Sequence, residues 1–109
     1  MTKSPLGELE IVVLLAVLQV EQGAYATNVA AQIRARTGRR VARGALYVTL
    51  ERLVDKGYLR SRLGGTAAGR GGRARRYYAV SAAGLRAVRH AREAMRAMWQ
   101  GLDTVLEEA

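Results

Sequence analysis

The feature that most limits what this chain can fold into is a single change of apolar period just after Gly57. Before it, Leu46, Leu50, Leu53 and Val54 fall at i, i+4, i+7 and i+8, which predicts a helix from Arg43 or Gly44 to Lys56 closed by Gly57. After it, Leu59, Ser61 and Leu63 alternate with Tyr58, Arg60 and Arg62, the period of a strand. The stretch from Gly64 to Arg73 is too rich in glycine to hold regular structure, and Tyr77-Tyr78-Ala79-Val80 beyond it is aromatic and β-branched. Two strands around a basic glycine loop make a β-hairpin that follows a helix.

The flanks are helical. Leu6 to Glu21 carries Leu6, Leu9, Val13 and Val17 on one stripe and Ile11, Leu14, Leu15 and Leu18 on an adjoining one, so this helix needs cover on more than one side. Glu8 and Glu10 lie in its first turns, where negative charge suits a helix N-terminus. Thr27 to Arg36 reads as a second helix with Val29, Ala30 and Ile33 inward and Gly38 at its C-cap. Ser81 is an N-cap, and from Ala82 the chain reads as helical to near its end. The order is that of a winged helix-turn-helix with an added C-terminal helix, an α+β fold that is mostly α. At 109 residues there is room for one small core. The expected division is a winged helix-turn-helix DNA-binding domain over residues 1–81 and a C-terminal dimerisation helix over 82–109.

Charge is confined as sharply as the strands are. Residues 34–76 hold twelve Arg and Lys56 against Glu51 and Asp55, a net of +11, while the segments before and after carry −2 and 0. A block of this kind favours a polyanion, duplex DNA above all, over an ordinary solvated surface. In a helix-turn-helix the second helix of the motif enters the major groove. That helix exposes Arg43, Tyr47, Val48, Glu51 and Arg52, with Arg39 and Arg40 in the turn before it. Arg43 is a candidate reader of guanine; the Tyr47 hydroxyl suits a phosphate, and its ring also suits a half-buried place at the core edge. Arg70, Arg73, Arg75 and Arg76 belong to the wing, where glycines admit close approach to a duplex. The same loop lacks the Lys-Ser/Thr ending of a nucleotide cradle and joins two strands rather than a strand and a helix.

With no Cys and one His, the sequence leaves out disulfides, zinc fingers and multi-histidine metal sites, and no cofactor is expected. His90 stands among Arg89, Arg92 and Glu93 with no nucleophile beside it, so nothing marks an enzyme. The apolar run Ile11 to Leu18 is too short to span a membrane, and a cytoplasmic protein is expected. Towards the C-terminus Leu85, Trp99 and Leu106 form one row of sevens and Val88, Met95 and Leu102 another, a seam that asks for a partner helix and hence a homodimer. Trp99 has two readings: an anchor of that interface, or, with Met95 and Met98, the floor of a pocket for a small aromatic effector.

At these residues the sequence resembles the PadR family of bacterial transcriptional regulators, the short type with one helix after the wing. The resemblance is carried by Leu6-Gly7-Glu8-Leu9-Glu10, by Gly44-Ala45-Leu46-Tyr47 opening the third helix and by Leu50, Arg52, Leu53 and Gly57 closing it. Arg73 to Tyr78 and Ser81-Ala82-Ala83-Gly84 continue it. Ala42 departs from the family's usual Ser or Thr cap, Ala26 stands where Gly is common, and Val54 replaces an acidic residue. The resemblance implies a dimeric repressor on a pseudo-palindromic operator in double-stranded DNA, in some members released by a small molecule. The competing reading is an architectural DNA- or RNA-binding protein that uses the same basic block without sequence choice.

Overall fold

The computed structural model describes residues 6–66 and 74–109. Helices α1 (Glu8–Gln19), α2 (Ala26–Thr37) and α3 (Arg43–Asp55) are followed by strands β1 (Leu59–Thr66) and β2 (Ala74–Val80), then by α4 (Ala82–Trp99) and α5 (Asp103–Glu108). The strands pair antiparallel, Leu59 opposite Val80 and Ser61 opposite Tyr78, with an irregularity between Leu63 and Thr66. Ala24 adds a single bridge to Tyr78, which ties the α1–α2 link to the hairpin. This is the mostly helical winged helix-turn-helix that the change of period implies.

The core lies where the first three helices meet the base of the hairpin. Val13, Leu14, Val29, Leu50 and Leu53 are sealed from solvent, and Ile33, Leu46, Tyr58, Leu59 and Tyr78 close around them. Inward positions at i, i+3 and i+4 on α3 place Leu46, Thr49, Leu50 and Leu53 on one side of that helix. Thr49 is buried without loss because its hydroxyl donates to the Ala45 carbonyl at 2.7 Å.

Each turn between elements is specified locally. Gly57 takes the left-handed conformation at φ 80°, its N–H donates to the Val54 carbonyl, and the Tyr58 N–H donates to the Leu53 carbonyl, so the last carbonyls of α3 are satisfied. The Ser81 hydroxyl then joins two elements, accepting from the Gly84 N–H at 3.0 Å as the cap of α4 and donating to the Gly57 carbonyl at 2.6 Å. A methyl at Gly84 would stand 2.3 Å from the Tyr58 carbonyl oxygen, so α4 is seated directly on the turn that ends α3.

One strand position departs from its face, and one expectation needs correcting. Leu63 shares a strand face with buried Leu59 but is 61% exposed, because the hairpin there has run past the helices that cover its base. The C-terminal helix is also not continuous: Gly101 at φ 85° ends it, and a short α5 restarts at Asp103. Leu102 and Leu106 therefore do not extend a straight row from Leu85, Val88, Met95 and Trp99. Among the described residues no helix is long and apolar enough to cross a membrane.

Candidate nucleic-acid interface

The N-terminus of α1 is anchored by a carboxylate that the sequence marks only as a dipole partner. Glu10 is buried, accepts from the Gly7 N–H at 2.7 Å and pairs with the Lys56 ammonium at 2.8 Å. Burial alone would push this carboxyl up, but the hydrogen bonds from Lys56 and Gly7 together with the charges of Lys56 and Arg52 outweigh it, so its pKa lies below the ordinary value. The pair joins the start of α1 to the end of α3. Arg39 does the same on the outside, donating to Glu8 at 2.7 Å across an exposed gap.

These contacts, with the Ser81 joint, fix α3 while leaving its outer side open. Tyr47 is 45% exposed and forms no part of the core. With Arg43 it faces a cleft of about 420 Å³ between the start of α2, the first turns of α3 and strand β2, which is also lined by Tyr25, Thr27, Arg75 and Arg76. Among the described residues no acidic side chain lines this cleft. The guanidinium of Arg75 stacks on the Tyr25 ring at 3.7 Å, and Tyr25 meets Tyr77 edge to face at 6.0 Å. Arg62 covers the Tyr77 ring at 4.7 Å. At the base of the wing Arg62 and Arg75 are thus held by stacking on aromatic rings, an arrangement that does not consume their N–H donors.

The candidates from sequence divide accordingly. Arg43, Tyr47 and Arg75 come together at the cleft; Arg40 is exposed in the turn before α3, and Arg39 is turned to Glu8. Arg52 stands on the opposite flank of α3, close enough to Glu10 to influence its carboxyl, and is not gathered with Tyr47. Arg70 and Arg73 lie outside the described residues. Arg76, expected with the wing, joins Arg43, Tyr47 and Arg75 in the cleft, whereas Tyr25 lines it without being a candidate from the sequence. Tyr25 lies between two helical patterns, where one-dimensional periodicity says nothing. Arg76 donates to the Ser61 hydroxyl at 3.1 Å, a contact that requires knowing the strand register.

A second surface is apolar. Between α1 and α4 runs a groove of about 710 Å³ lined by Ile11, Leu15, Leu18, Leu85, Val88, Met95 and Trp99, with Arg89, Arg92 and Arg96 at its edge. Met95 and Trp99 both line it, while Met98 is 73% exposed and does not.

A family model, that of the PadR-like transcriptional regulators, matches residues 14–90, a span from α1 into α4 that includes the whole cleft. The chain belongs to the PadR-like family. It is a DNA-binding transcriptional regulator, and the basic cleft lies on the elements with which a winged helix-turn-helix meets DNA. Solved PadR family regulators share the fold. One from Eggerthella lenta superposes with a TM-score of 0.69 at 25% identity, covering 94% of this chain and 88% of that one. Another, from Clostridium difficile, gives 0.70 at 21% identity over 88% and 97%. A transcriptional regulator from Clostridium thermocellum gives 0.70 at 19% identity over 88% and 90%. No curated protein matches the sequence.

Proposed function

We propose that this PadR-like regulator is a cytoplasmic homodimer that represses transcription from a pseudo-palindromic operator and is released by a small aromatic effector. The observation that carries the reading is the cleft at the start of α3, which Arg43, Arg75 and Arg76 line together with Tyr25 and Tyr47 and which, among the described residues, no carboxylate lines. Arg43 sits at the wing side of α3 in this cleft, which favours a backbone contact over the base contact expected from its place in the sequence. Arg39 and Arg40 extend the same basic rim.

The apolar groove supplies the dimer and the switch. A second copy laid against α1 and α4 covers Leu15, Leu18, Met95 and Trp99 and sets two α3 helices for successive major grooves, about 34 Å apart. A planar ligand that reaches Trp99 between the copies releases DNA if it binds one head spacing better than the other. The arginines at the groove edge favour a phenolate or carboxylate over a cation.

The test is selection of bound fragments from random duplexes, with unrelated duplex as competitor at physiological salt. The reading expects two inverted half-sites and a preference of roughly a thousandfold or more; uniform binding favours an architectural protein. Quenching of Trp99 fluorescence by phenolic compounds, with DNA release over the same concentrations, tests the effector.

A further inference from the structure

Within the basic block the middle of the exposed face of α3 carries no arginine or lysine. Opposite buried Leu46, Leu50 and Leu53, the row Gly44, Val48 and Glu51 recurs at i, i+4 and i+7 on the exposed side of the helix, with Glu51 at the border facing the hairpin. Val48 is 55% exposed, and Glu51 is exposed as well. Arginines surround this row, yet Arg76, which lines one cleft together with Glu51, donates to the Ser61 hydroxyl at 3.1 Å rather than to the carboxylate. Among the described residues Glu51 makes no ion pair.

Each member of this row is unexplained by the fold. Gly44 sits in the first turn of a helix, where glycine is among the poorest helix formers, yet an added methyl would meet nothing within 4 Å. Val48 leaves a branched apolar side chain in water. Glu51 places a negative charge on the surface that must approach phosphates, which weakens sequence-independent binding. All three features fit a partner that comes close to the backbone at Gly44, offers a methyl group at Val48 and offers an amino donor at Glu51. The floor of a major groove is such a partner: thymine presents its C5-methyl there and cytosine its N4 amino group.

We propose that Gly44, Val48 and Glu51 are the base-reading row of α3, with Val48 against a thymine methyl and Glu51 accepting from a cytosine amino group. The arginines of the rim then hold the phosphates while this row chooses the sequence. The inference rests on the reading of α3 as the helix in the major groove, and it assigns sequence preference to residues that carry no positive charge.

The experiment is selection from random duplexes with the full-length protein at physiological salt, run on the unmodified chain, Glu51→Gln, Glu51→Ala, Val48→Ala and Gly44→Ala. The unmodified protein should enrich half-sites that require a thymine and a cytosine. Both glutamate variants should lose the cytosine requirement, Glu51→Gln turning towards adenine, while other positions of the site are kept. Their preference for the original site over unrelated duplex should fall roughly five- to a hundredfold, and unrelated duplex should be bound as well or better. Val48→Ala should relax the thymine. Gly44→Ala should melt higher than the unmodified protein yet bind its site more weakly, which separates contact from folding. Identical motifs from the unmodified chain and both Glu51 variants, with all duplexes bound more tightly in proportion, would overturn the proposal while leaving the sequence-specific reading intact. Absence of any motif from the unmodified protein would overturn both.

Discussion

The two sides of α1 have the same chemistry and opposite surroundings. Val13, Leu14 and Val17 are closed off by α2, α3 and the hairpin base, whereas Leu15 and Leu18, one position along, are 42% and 46% exposed above the groove with α4. A helix apolar around most of its girth is covered on one side by its own chain and asks for cover on the other. The contrast teaches that burial in this protein is divided between two jobs. The inner side makes a rigid head that fixes α3; the outer side, with Met95 and Trp99 of α4, lines an apolar groove, the face that the proposed homodimer would cover.

The comparison breaks most severely at Leu14. Leu14→Ala removes a fully buried side chain at a cost of about 2–5 kcal/mol, which chemical denaturation will register as a lower midpoint. Its neighbour should behave differently: Leu15→Ala is expected to change stability little at concentrations where the chain is monomeric and to weaken association. Equal loss of stability from both substitutions under those conditions would erase the distinction between the two sides.

A smaller effect is expected at the joint between them. Glu10→Gln keeps the shape but takes the charge from the Lys56 pair, at a cost of about 1–3 kcal/mol. The sign with pH follows from the lowered pKa of Glu10. The folded state holds the proton less tightly than the unfolded chain, so the pair's contribution is complete above the ordinary glutamate pKa, about 4.3, and is lost as pH falls through the lower folded value. Stability measured against pH should therefore fall less steeply on the acid side in Glu10→Gln than in the unmodified protein; parallel acid limbs would show that Glu10 is not a source of the loss.

The smallest effect is expected at the wing base, which belongs to the head but not to its core. Arg75→Ala should leave thermal stability within about 0.5 kcal/mol, as for a surface change, while lowering the slope of log affinity against log salt by about one unit. An unchanged slope would remove Arg75 from the phosphate contacts.

How far the sequence could be read follows the same division. Leu46, Leu50 and Leu53 announce α3 because packing within one helix is periodic, and the alternation after Gly57 announces the hairpin for the same reason. Ser81 is recognisable as a cap, but its second bond, to the Gly57 carbonyl, joins residues that only the fold brings near. Glu10 looks like a surface acid in a first turn; its partner Lys56 lies 46 residues further along the sequence, so its burial is invisible in one dimension. The row of sevens through Trp99 to Leu106 misleads because the spacing continues across Gly101 although the helix does not. In the cleft, Arg43, Tyr47 and Arg75 come together as candidates chosen by type and position, whereas Tyr25 enters through stacking with an arginine fifty residues away in sequence.

The central claim, that the apolar side of α1 and α4 is covered by a second copy, is tested most directly by sedimentation equilibrium of the unmodified protein beside Trp99→Ala at micromolar concentration. The account expects twice the mass of one chain for the unmodified protein and a shift towards one chain for Trp99→Ala, whose side chain is 58% exposed in the isolated subunit. A single-chain mass for the unmodified protein would contradict it.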